Sequence, residues 1–317
     1  MEEAHLYLIL ILGSVVFLNS NFKLGTSLEA KRKNQEYNIH PIDFLSQYCR
    51  KPKNYHRGLQ NLKNFGFHVV SKIRDNNVIL EYTFPLLKSH KSTFKISINP
   101  NNFSSIVSEF GCHNSCFGPV DDKRYQLAST NADFLQKNMN KDGFYFNHFG
   151  EKGFGINYDH IIEISVDLTS RIASLIVSEL KAINKDDYIT RVQAALNFVQ
   201  CIPYGVPNFD KGDYCYFGFS LPHESLVLNY SDCDSKSILF AGILYHLIDP
   251  KNIILVSCVI QEGGHMITGI AGLPYGGQYI DYQDKKYLLI ETTSPIPIDM
   301  QPSNKFEQVE VYQINLV

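Results

Sequence analysis

The hydrophobic pattern of the C-terminal half changes along the chain, and this change constrains the fold more than any other feature. Apolar residues recur every three or four positions from Leu168 to Ile183 and from Ile189 to Val199, which predicts two amphipathic helices. A continuous apolar run at 238–247 then predicts a third, buried helix. Strand patterns follow at 253–260, 265–271 and 287–291. We therefore expect an α+β fold in which a sheet packs on the third helix.

Polar residues indicate where these helices begin and end. Asp167 or Thr169 is expected to cap the first helix, because short oxygen-bearing side chains accept the free N–H groups of a first turn. Pro203 stops the second helix, since proline has no N–H to donate. Asp232 stands directly before the third helix and is its expected cap, which places Cys233 in the first turn.

A cysteine in the first turn of a helix is suited to nucleophilic chemistry. The helix dipole and the free N–H groups favour a thiolate, so the pKa of the Cys233 thiol is predicted to fall. A thiolate also needs a base, and the base needs an acid that orients it. His265 begins the second strand after the cysteine helix, and Glu291 ends the next predicted strand. Asp281 is an alternative acid.

Five segments resemble the core of transglutaminase-like cysteine enzymes, in particular the bacterial members. They are FVQCIPY (198–204), LPHESL (221–226), SDCDSKSILFAGIL (231–244), GGHMITGI (263–270) and YLLIETTSP (287–295). The resemblance covers residues 158–299, less than half of the chain. It implies a papain-like transglutaminase core, in which the nucleophile helix packs on an antiparallel sheet, with an N-terminal mixed α/β extension outside it.

Carried onto this chain, the resemblance implies a catalytic triad. Cys233 matches the nucleophile, His265 the base and Glu291 the acid, although most relatives carry Asp at the last position. Ser231 stands where a glycine is more usual. Gln200 matches a glutamine whose side-chain amide could donate to an oxyanion. The alternative for Gln200 is that it holds the loop that follows its helix.

Three more polar residues are predicted to have no role in the chemistry. Glu224 is expected to brace the loop before the cysteine helix. Asp234 and Lys236 are expected to be first-turn residues on the protein surface.

The function implied by the resemblance is a thiol-dependent amide hydrolase, a peptidase or amidase that forms an acyl-thioester. Its substrate is expected to be a peptide or peptide-like polymer, with no metal and no organic cofactor. The alternatives are a cross-linking protein-glutamine acyltransferase and a non-catalytic binding module that keeps the fold. Cross-linking transglutaminases use tryptophans to donate to the oxyanion and to wall the acceptor channel, and this chain has no Trp. That absence favours hydrolysis.

The remaining chain is divided by composition. Residues 1–19 are interpreted as a signal peptide or anchor, 20–40 as a linker, 41–155 as an N-terminal domain of unknown role, and 156–317 as the transglutaminase-like domain. The apolar run at 6–18 has the length of a signal-peptide core, although Glu2 and Glu3 precede it where positive charge is expected. We therefore expect an exported protein, periplasmic, secreted or tethered to a membrane, with a buried helix as the other interpretation. Strands are predicted at 78–84 and 94–98.

Charge and cysteine content narrow the function classes further. The net charge of −3 indicates no nucleic-acid partner, since nucleic-acid binders carry a basic patch. The cysteine count of seven is odd, which in an exported chain suggests one free thiol beside paired ones. Cys112 and Cys116 are close enough in sequence to pair or to bind a metal, but no second such pair accompanies them. Reduced structural cysteines are the alternative.

Overall fold

The computed structural model describes most of the C-terminal half and part of the N-terminal half. The described residues are 66–74, 76–103, 106, 154–205, 219–260, 263–300 and 306–316, with short strand segments at 18–19, 112–113, 127–128, 144–146, 210–211 and 214–215. Within these residues helices pack with mainly antiparallel sheets. The predicted α+β class is therefore confirmed.

The elements are labelled in chain order. The helices are α1 (Tyr158–Ile164), α2 (Val166–Ala182), α3 (Tyr188–Gln200), α4 (Pro222–Leu228) and α5 (Cys233–Tyr245). The strands are β1 (Leu18–Asn19), β2 (His68–Arg74), β3 (Asn77–Leu87), β4 (His90–Ile98), β5 (Cys112–His113), β6 (Leu127–Ala128), β7 (Phe144–Phe146), β8 (Phe154–Ile156), β9 (Asp210–Lys211), β10 (Tyr214–Cys215), β11 (Ile253–Ile260), β12 (Gly263–Ala271), β13 (Tyr279–Tyr282), β14 (Lys285–Ile290) and β15 (Glu307–Gln313). Short 3-10 helices occur at Pro250–Asn252 and Ile298–Met300.

The two strands predicted in the N-terminal half are confirmed as β3 and β4. With β2 they form an antiparallel sheet in the order β2-β3-β4. Side chains on β3 alternate between buried and partly exposed, as a strand with one face on a core requires. The buried rings of Tyr82 and Phe84 meet Phe198 of α3 edge to face, with ring centroids 5.5 and 5.4 Å apart. This sheet therefore packs directly on the helices of the C-terminal half.

Helix α2 is confirmed, but its predicted cap is wrong. The N-cap is Ser165, which also ends α1, and it makes no side-chain capping bond. Because one residue is shared by the two helices, α2 begins before Asp167 and Thr169. The Thr169 hydroxyl instead donates to the Ser165 carbonyl over 3.0 Å, inside the helix. The break after Ala182 is marked by Asn184, whose φ of +53° lies in the left-handed region.

Helix α3 begins with a capping box at Asp187. The Asp187 carboxylate accepts from the Thr190 N–H, and the Thr190 hydroxyl accepts from the Asp187 N–H. The helix ends at Gln200, three residues before Pro203. The backbone then pairs with the segment before α5, since Ser231 donates to the Pro203 carbonyl over 3.0 Å.

Helix α4 was not predicted, because Glu224 was expected to brace a loop before the cysteine helix rather than to lie in a helix. Pro222 occupies its first turn, where a missing N–H costs nothing. The Glu224 carboxylate accepts from the Leu221 N–H over 3.0 Å and braces this first turn, the structural role that was expected of it. The helix ends at Leu228, and its C-cap Asn229 has a φ of +53°, in the left-handed region.

Helix α5 is the central helix. Asp232 is its N-cap and accepts from the Ser235 N–H, so the predicted cap is confirmed, with Cys233 as the first helical residue. Every residue from Cys233 to Leu244 is buried. Gly242 allows a close approach to α2, since a Cβ there would lie 3.0 Å from Cγ2 of Thr169.

The C-terminal strands form one antiparallel sheet in the order β13-β14-β12-β11-β15, curled into a half-barrel. The strand predicted at 253–260 is confirmed as β11, and the other two are confirmed as β12 and β14, with Glu291 directly after β14. β13 and β15 were not predicted. One face of the sheet packs on α5, and the other face holds a second apolar cluster that includes Ile254, Ile267 and Tyr287. The sheet and α5 together position the site.

Several predictions concern residues outside the described part of the chain. The apolar run at 6–18 and the linker at 20–40 lie there, apart from β1, as do Cys49 and Cys116. Among the described residues, no helix is both long enough and apolar enough to cross a membrane.

Candidate functional site

The Cys233 side chain lies at the start of α5, in a nearly closed environment. The residue is 8% exposed. Its position follows from local sequence, because the Asp232 cap fixes the helix start at residue 233. A thiol at this position sits beside the N–H groups of the first turn.

His265 and Glu291 meet across neighbouring strands. His265 lies on β12, and Glu291 follows the adjacent β14, which pairs antiparallel with β12 from Thr268↔Ile290. Nε2 of His265 and Oε2 of Glu291 are 2.9 Å apart, and both side chains are about nine-tenths buried. The imidazole N–H therefore donates to the carboxylate. Nδ1 is left as the ring nitrogen for a proton transfer.

The Glu291 carboxylate is held at both oxygens. Oε1 accepts from the Thr293 N–H and from the Thr293 hydroxyl, each over 2.6 Å. Burial alone would raise the pKa of this carboxyl, but the hydrogen bonds from His265 and Thr293 outweigh it and lower the pKa to about 2. Glu291 is therefore an ionised, fixed partner for the imidazole.

Two contacts join the start of α5 to β12 beside His265. The backbone N–H of Met266 faces the Cys233 sulfur and acts to lower the pKa of the thiol, against the larger effects that raise it. One turn along α5, the Ser237 hydroxyl donates to the Met266 carbonyl over 3.2 Å and lies 3.4 Å from the Thr292 hydroxyl. Ser237 thus ties the residue after His265 to the residue after Glu291. Through these contacts α5, β12 and the end of β14 form one site.

Asp234 is buried, so the prediction that it lies on the surface is wrong. The Cys233 thiol donates to Oδ1 of Asp234 over 2.9 Å. Burial raises the pKa of the Asp234 carboxyl, while the Cys233 hydrogen bond and the charge of His265 oppose that rise. The prediction of a surface position for Asp234 is wrong because the first turn of α5 is buried on all sides.

The predicted fall in the pKa of the Cys233 thiol is also wrong. Burial raises this pKa well above its ordinary value, and the negative charges of Asp234 and Asp232 raise it further. The Asp232 carboxylate already accepts from the first turn, at the Ser235 N–H. The carboxyl groups of Asp232 and Asp234 thus occupy the positive end of the helix. The helix dipole was expected to stabilise a thiolate at this end.

Lys236 is fully buried, which contradicts its predicted place on the surface. Its Nζ donates to the Ile202 carbonyl over 2.6 Å. Burial lowers the pKa of its ammonium to about 8, although the negative charge of Glu291 opposes this fall. The side chain fastens α5 to the turn that follows α3.

The Gln200 amide holds the chain after Glu291. Its Nε2 donates to the carbonyls of Glu291 and Ile296, over 2.9 Å in both cases. Both N–H groups of the amide are thereby used, which is the loop-holding role left open by the sequence. A role as oxyanion donor would require one of these bonds to break.

Asp281 lies away from this cluster. Its side chain is 77% exposed on β13 and is 3.6 Å from Nζ of Lys286. Of the two acids considered, Glu291 is the one in contact with His265.

Tyr204 stands at the edge of the site. The residue is 48% exposed, and its backbone pairs with Ser231, two residues before Cys233. Burial of its hydroxyl raises the pKa of the phenol, as do the nearby charges of Cys233 and Asp232.

The sequence interpretation missed Asp234, Ser237 and Thr293 as parts of the site. A signal was present for Thr293, since a Thr two residues after Glu291 can fold back onto its carboxylate. For Asp234 and Ser237 the signal is weak, because polar residues in a first helical turn are ordinarily solvated.

Within the described ranges, no group of three or more His, Cys, Asp and Glu side chains is arranged to hold a metal ion. Comparison with protein-family models, with curated proteins and with solved structures finds no match to this chain.

Proposed function

We propose that this protein is a thiol-dependent amide hydrolase in which Cys233 is the nucleophile, His265 the base and Glu291 the orienting acid. The observation that carries the proposal is the buried 2.9 Å contact between His265 and Glu291, on strands joined to the start of α5. A histidine fixed by an ionised carboxylate next to a cysteine at a helix start is the arrangement that nucleophilic catalysis requires.

The proposed reaction begins when the Cys233 sulfur attacks the amide carbonyl carbon. The thiol proton moves to Nδ1 of His265, and a carbon–sulfur bond forms. The imidazolium then protonates the leaving amine as the carbon–nitrogen bond breaks, which leaves an acyl-thioester. Water, activated by the neutral imidazole, releases the acid and restores the thiol. Glu291 keeps Nε2 protonated and steadies the positive charge on the ring.

The helix start supplies the proposed oxyanion site. Backbone N–H groups at the beginning of α5 are close to the sulfur, and such groups stabilise a tetrahedral oxyanion. Gln200 is the weaker candidate, because its amide holds two carbonyls. We further propose that α5 and the curled sheet correspond to the papain-like core of transglutaminase-like enzymes. The order of the cysteine helix, histidine strand and acid strand supports this.

Hydrolysis is proposed in preference to cross-linking because the chain has no Trp. An acyl-thioester must be shielded from water if an amine is to displace it. Tyr204 can shield one side of the site, but it is half-exposed and lacks the indole N–H.

A non-catalytic binding module is the second candidate function. The raised pKa of the Cys233 thiol favours it, since a neutral thiol is a poor nucleophile. The two candidates differ in the reactivity of Cys233.

The first test is labelling with iodoacetamide followed by mapping of the modified cysteines. We expect Cys233 to be alkylated faster than the buried Cys258, and His265→Ala to slow the reaction at Cys233. Cys258→Ser is the matched control and should leave labelling of Cys233 unchanged. Equal, slow labelling of both thiols would favour the binding module.

The second test separates hydrolysis from acyl transfer. The purified protein is incubated with a glutamine-containing peptide and a labelled primary amine. Peptide cleavage or a carboxylate product without amine incorporation, lost in Cys233→Ser, supports the hydrolase. Amine incorporation that depends on Cys233 would instead identify a cross-linking acyltransferase.

A further inference from the structure

The contact between Asp234 and the Cys233 thiol indicates how the site is kept at rest. We propose that Asp234 holds Cys233 as a neutral thiol and thereby sets the pH at which the nucleophile forms. This inference rests on the proposed role of Cys233 as the nucleophile. It makes Asp234 a fourth member of the site, in direct contact with a reacting atom.

The geometry shows a hydrogen bond between the Cys233 thiol and Asp234, and not only proximity of the two side chains. The sulfur donates to Oδ1 of Asp234 over 2.9 Å. Cys233 and Asp234 are less than a tenth exposed, so water competes little for this bond. Because the sulfur is the donor, this hydrogen bond exists only while the thiol keeps its proton. Ionisation of Cys233 would place two negative charges side by side in a poorly solvated site.

Other ionisable side chains also surround the Cys233 sulfur, and they lie on several different segments of the chain. Asp232 caps α5, Tyr204 lies on the paired backbone segment, and His265 and Glu291 come from the sheet. Lys236, one turn along α5, is directed to the Ile202 carbonyl.

The three carboxylates of the site have different hydrogen-bond partners. Asp232 is engaged by the Ser235 N–H, and Glu291 by His265 and Thr293. Asp234 is the acid whose carboxylate bonds the sulfur. The charge of His265 also acts to lower the pKa of Asp234, so Asp234 interacts with both partners of the proposed proton transfer.

This position gives Asp234 two opposed effects. At rest it stabilises the proton on sulfur and slows the formation of the thiolate. When the proton moves, the sulfur–hydrogen bond breaks and an N–H bond forms at Nδ1 of His265. Asp234 then loses its hydrogen-bond donor, and its negative charge favours the new imidazolium. The Asp234 carboxylate loses this hydrogen bond but gains no proton in the step.

The test is the pH dependence of Cys233 alkylation by iodoacetamide in the full chain and in Asp234→Asn. Asparagine keeps the size of the side chain and an accepting oxygen but removes the charge. We expect the midpoint of the pH profile to fall by about one unit or more. At a pH below both midpoints, this corresponds to labelling about tenfold faster or more.

Asp232→Asn is the matched control, because it removes a neighbouring charge and keeps a residue that caps helices well. We expect a smaller downward shift of the midpoint than with Asp234→Asn. An equal or larger shift would overturn the proposal, since a general loss of charge would then explain the result. Asp234→Ser gives a second measurement if the asparagine variant does not fold, with the same expected fall.

An unchanged or raised midpoint in folded Asp234 variants would also overturn the proposal. Because alkylation needs no turnover, this outcome is distinct from a failure of the proposed function. A lowered midpoint in a protein without amide hydrolysis would leave the role of Asp234 standing and reject the hydrolase.

Discussion

At the scale of single residues, Glu291 is held at both of its carboxylate oxygens and at its backbone carbonyl. His265 and Thr293 occupy its two oxygens, and Gln200 holds its backbone carbonyl. These bonds overcome the cost of burying a charged group and set the pKa of the carboxyl at about 2. The same bonds that orient the imidazole therefore also stabilise the folded chain.

We predict that Glu291→Gln lowers the free energy of unfolding at neutral pH by about 3 kcal/mol, since each pKa unit corresponds to about 1.4 kcal/mol. The folded-state pKa is below the ordinary value of 4.5, so the contribution is present above pH 4.5 and lost as the pH falls toward 2. The difference between natural and variant chains should shrink over that window. Urea unfolding at a series of pH values measures it.

Asp281→Asn is the matched control for this prediction, because Asp281 is largely exposed and its ion pair with Lys286 is a surface pair. Its stability should follow that of the natural chain at every pH. A difference for Glu291→Gln that stayed constant from pH 7 to pH 2 would contradict the assignment of the ionised carboxylate.

At the scale of elements, β12 carries the histidine and is packed tightly against its neighbour β11. Gly269 lies opposite Ile254 of β11. A Cβ at Gly269 would lie 2.6 Å from Cγ1 of Ile254 and 3.1 Å from Cβ of Tyr287. Both neighbours are buried, so neither has open space to move into.

We predict that Gly269→Ala destabilises the protein by about 1–3 kcal/mol, the usual cost of forcing extra atoms into a packed core. Thermal unfolding of the purified variant measures this loss. Gly276→Ala is the matched control, because a Cβ there meets nothing within 4 Å, and its effect should be close to zero. Equal effects of the two substitutions would mean that the sheet face is not tightly packed at Gly269.

At the scale of the whole molecule, the N-terminal sheet and the C-terminal helices share one hydrophobic core. Phe94 of β4 lies with its ring centroid 4.8 Å from that of Phe84 and 5.7 Å from that of Phe198. Phe198 is two residues before Gln200, which holds the chain after Glu291. The N-terminal sheet thus packs on α3, and α3 carries the Gln200 side chain that holds the chain at Glu291.

We predict that Phe94→Ala costs about 3–5 kcal/mol, as for other buried aromatic truncations, and that both halves of the chain lose this stability together. Denaturant unfolding is followed by circular dichroism and by protection of the buried Cys258 thiol, and both transitions should shift equally. Ile73→Ala is the matched control, because Ile73 is 42% exposed on the same sheet. A shift in circular dichroism without a shift in Cys258 protection would indicate that the halves unfold separately.

The sequence by itself determined the order of the elements and the start of the central helix. Hydrophobic periodicity and caps involve residues within about four positions of each other, so they are visible in a short window of sequence. This is why α2, α3, α5, β11 and the Asp232 cap were predicted. The same reasoning missed α4, whose first turn is fixed by Pro222 and Glu224 rather than by periodicity.

Only the tertiary structure decided which polar residues belong to the site. Asp234 and Lys236 have the local sequence of surface residues, but they are enclosed because distant segments cover the start of α5. Lys236 finds its partner 34 positions away at Ile202, and His265 finds Glu291 26 positions away. Burial and the resulting pKa of Cys233 depend on these long-range contacts, which the spacing of residues along the chain does not contain.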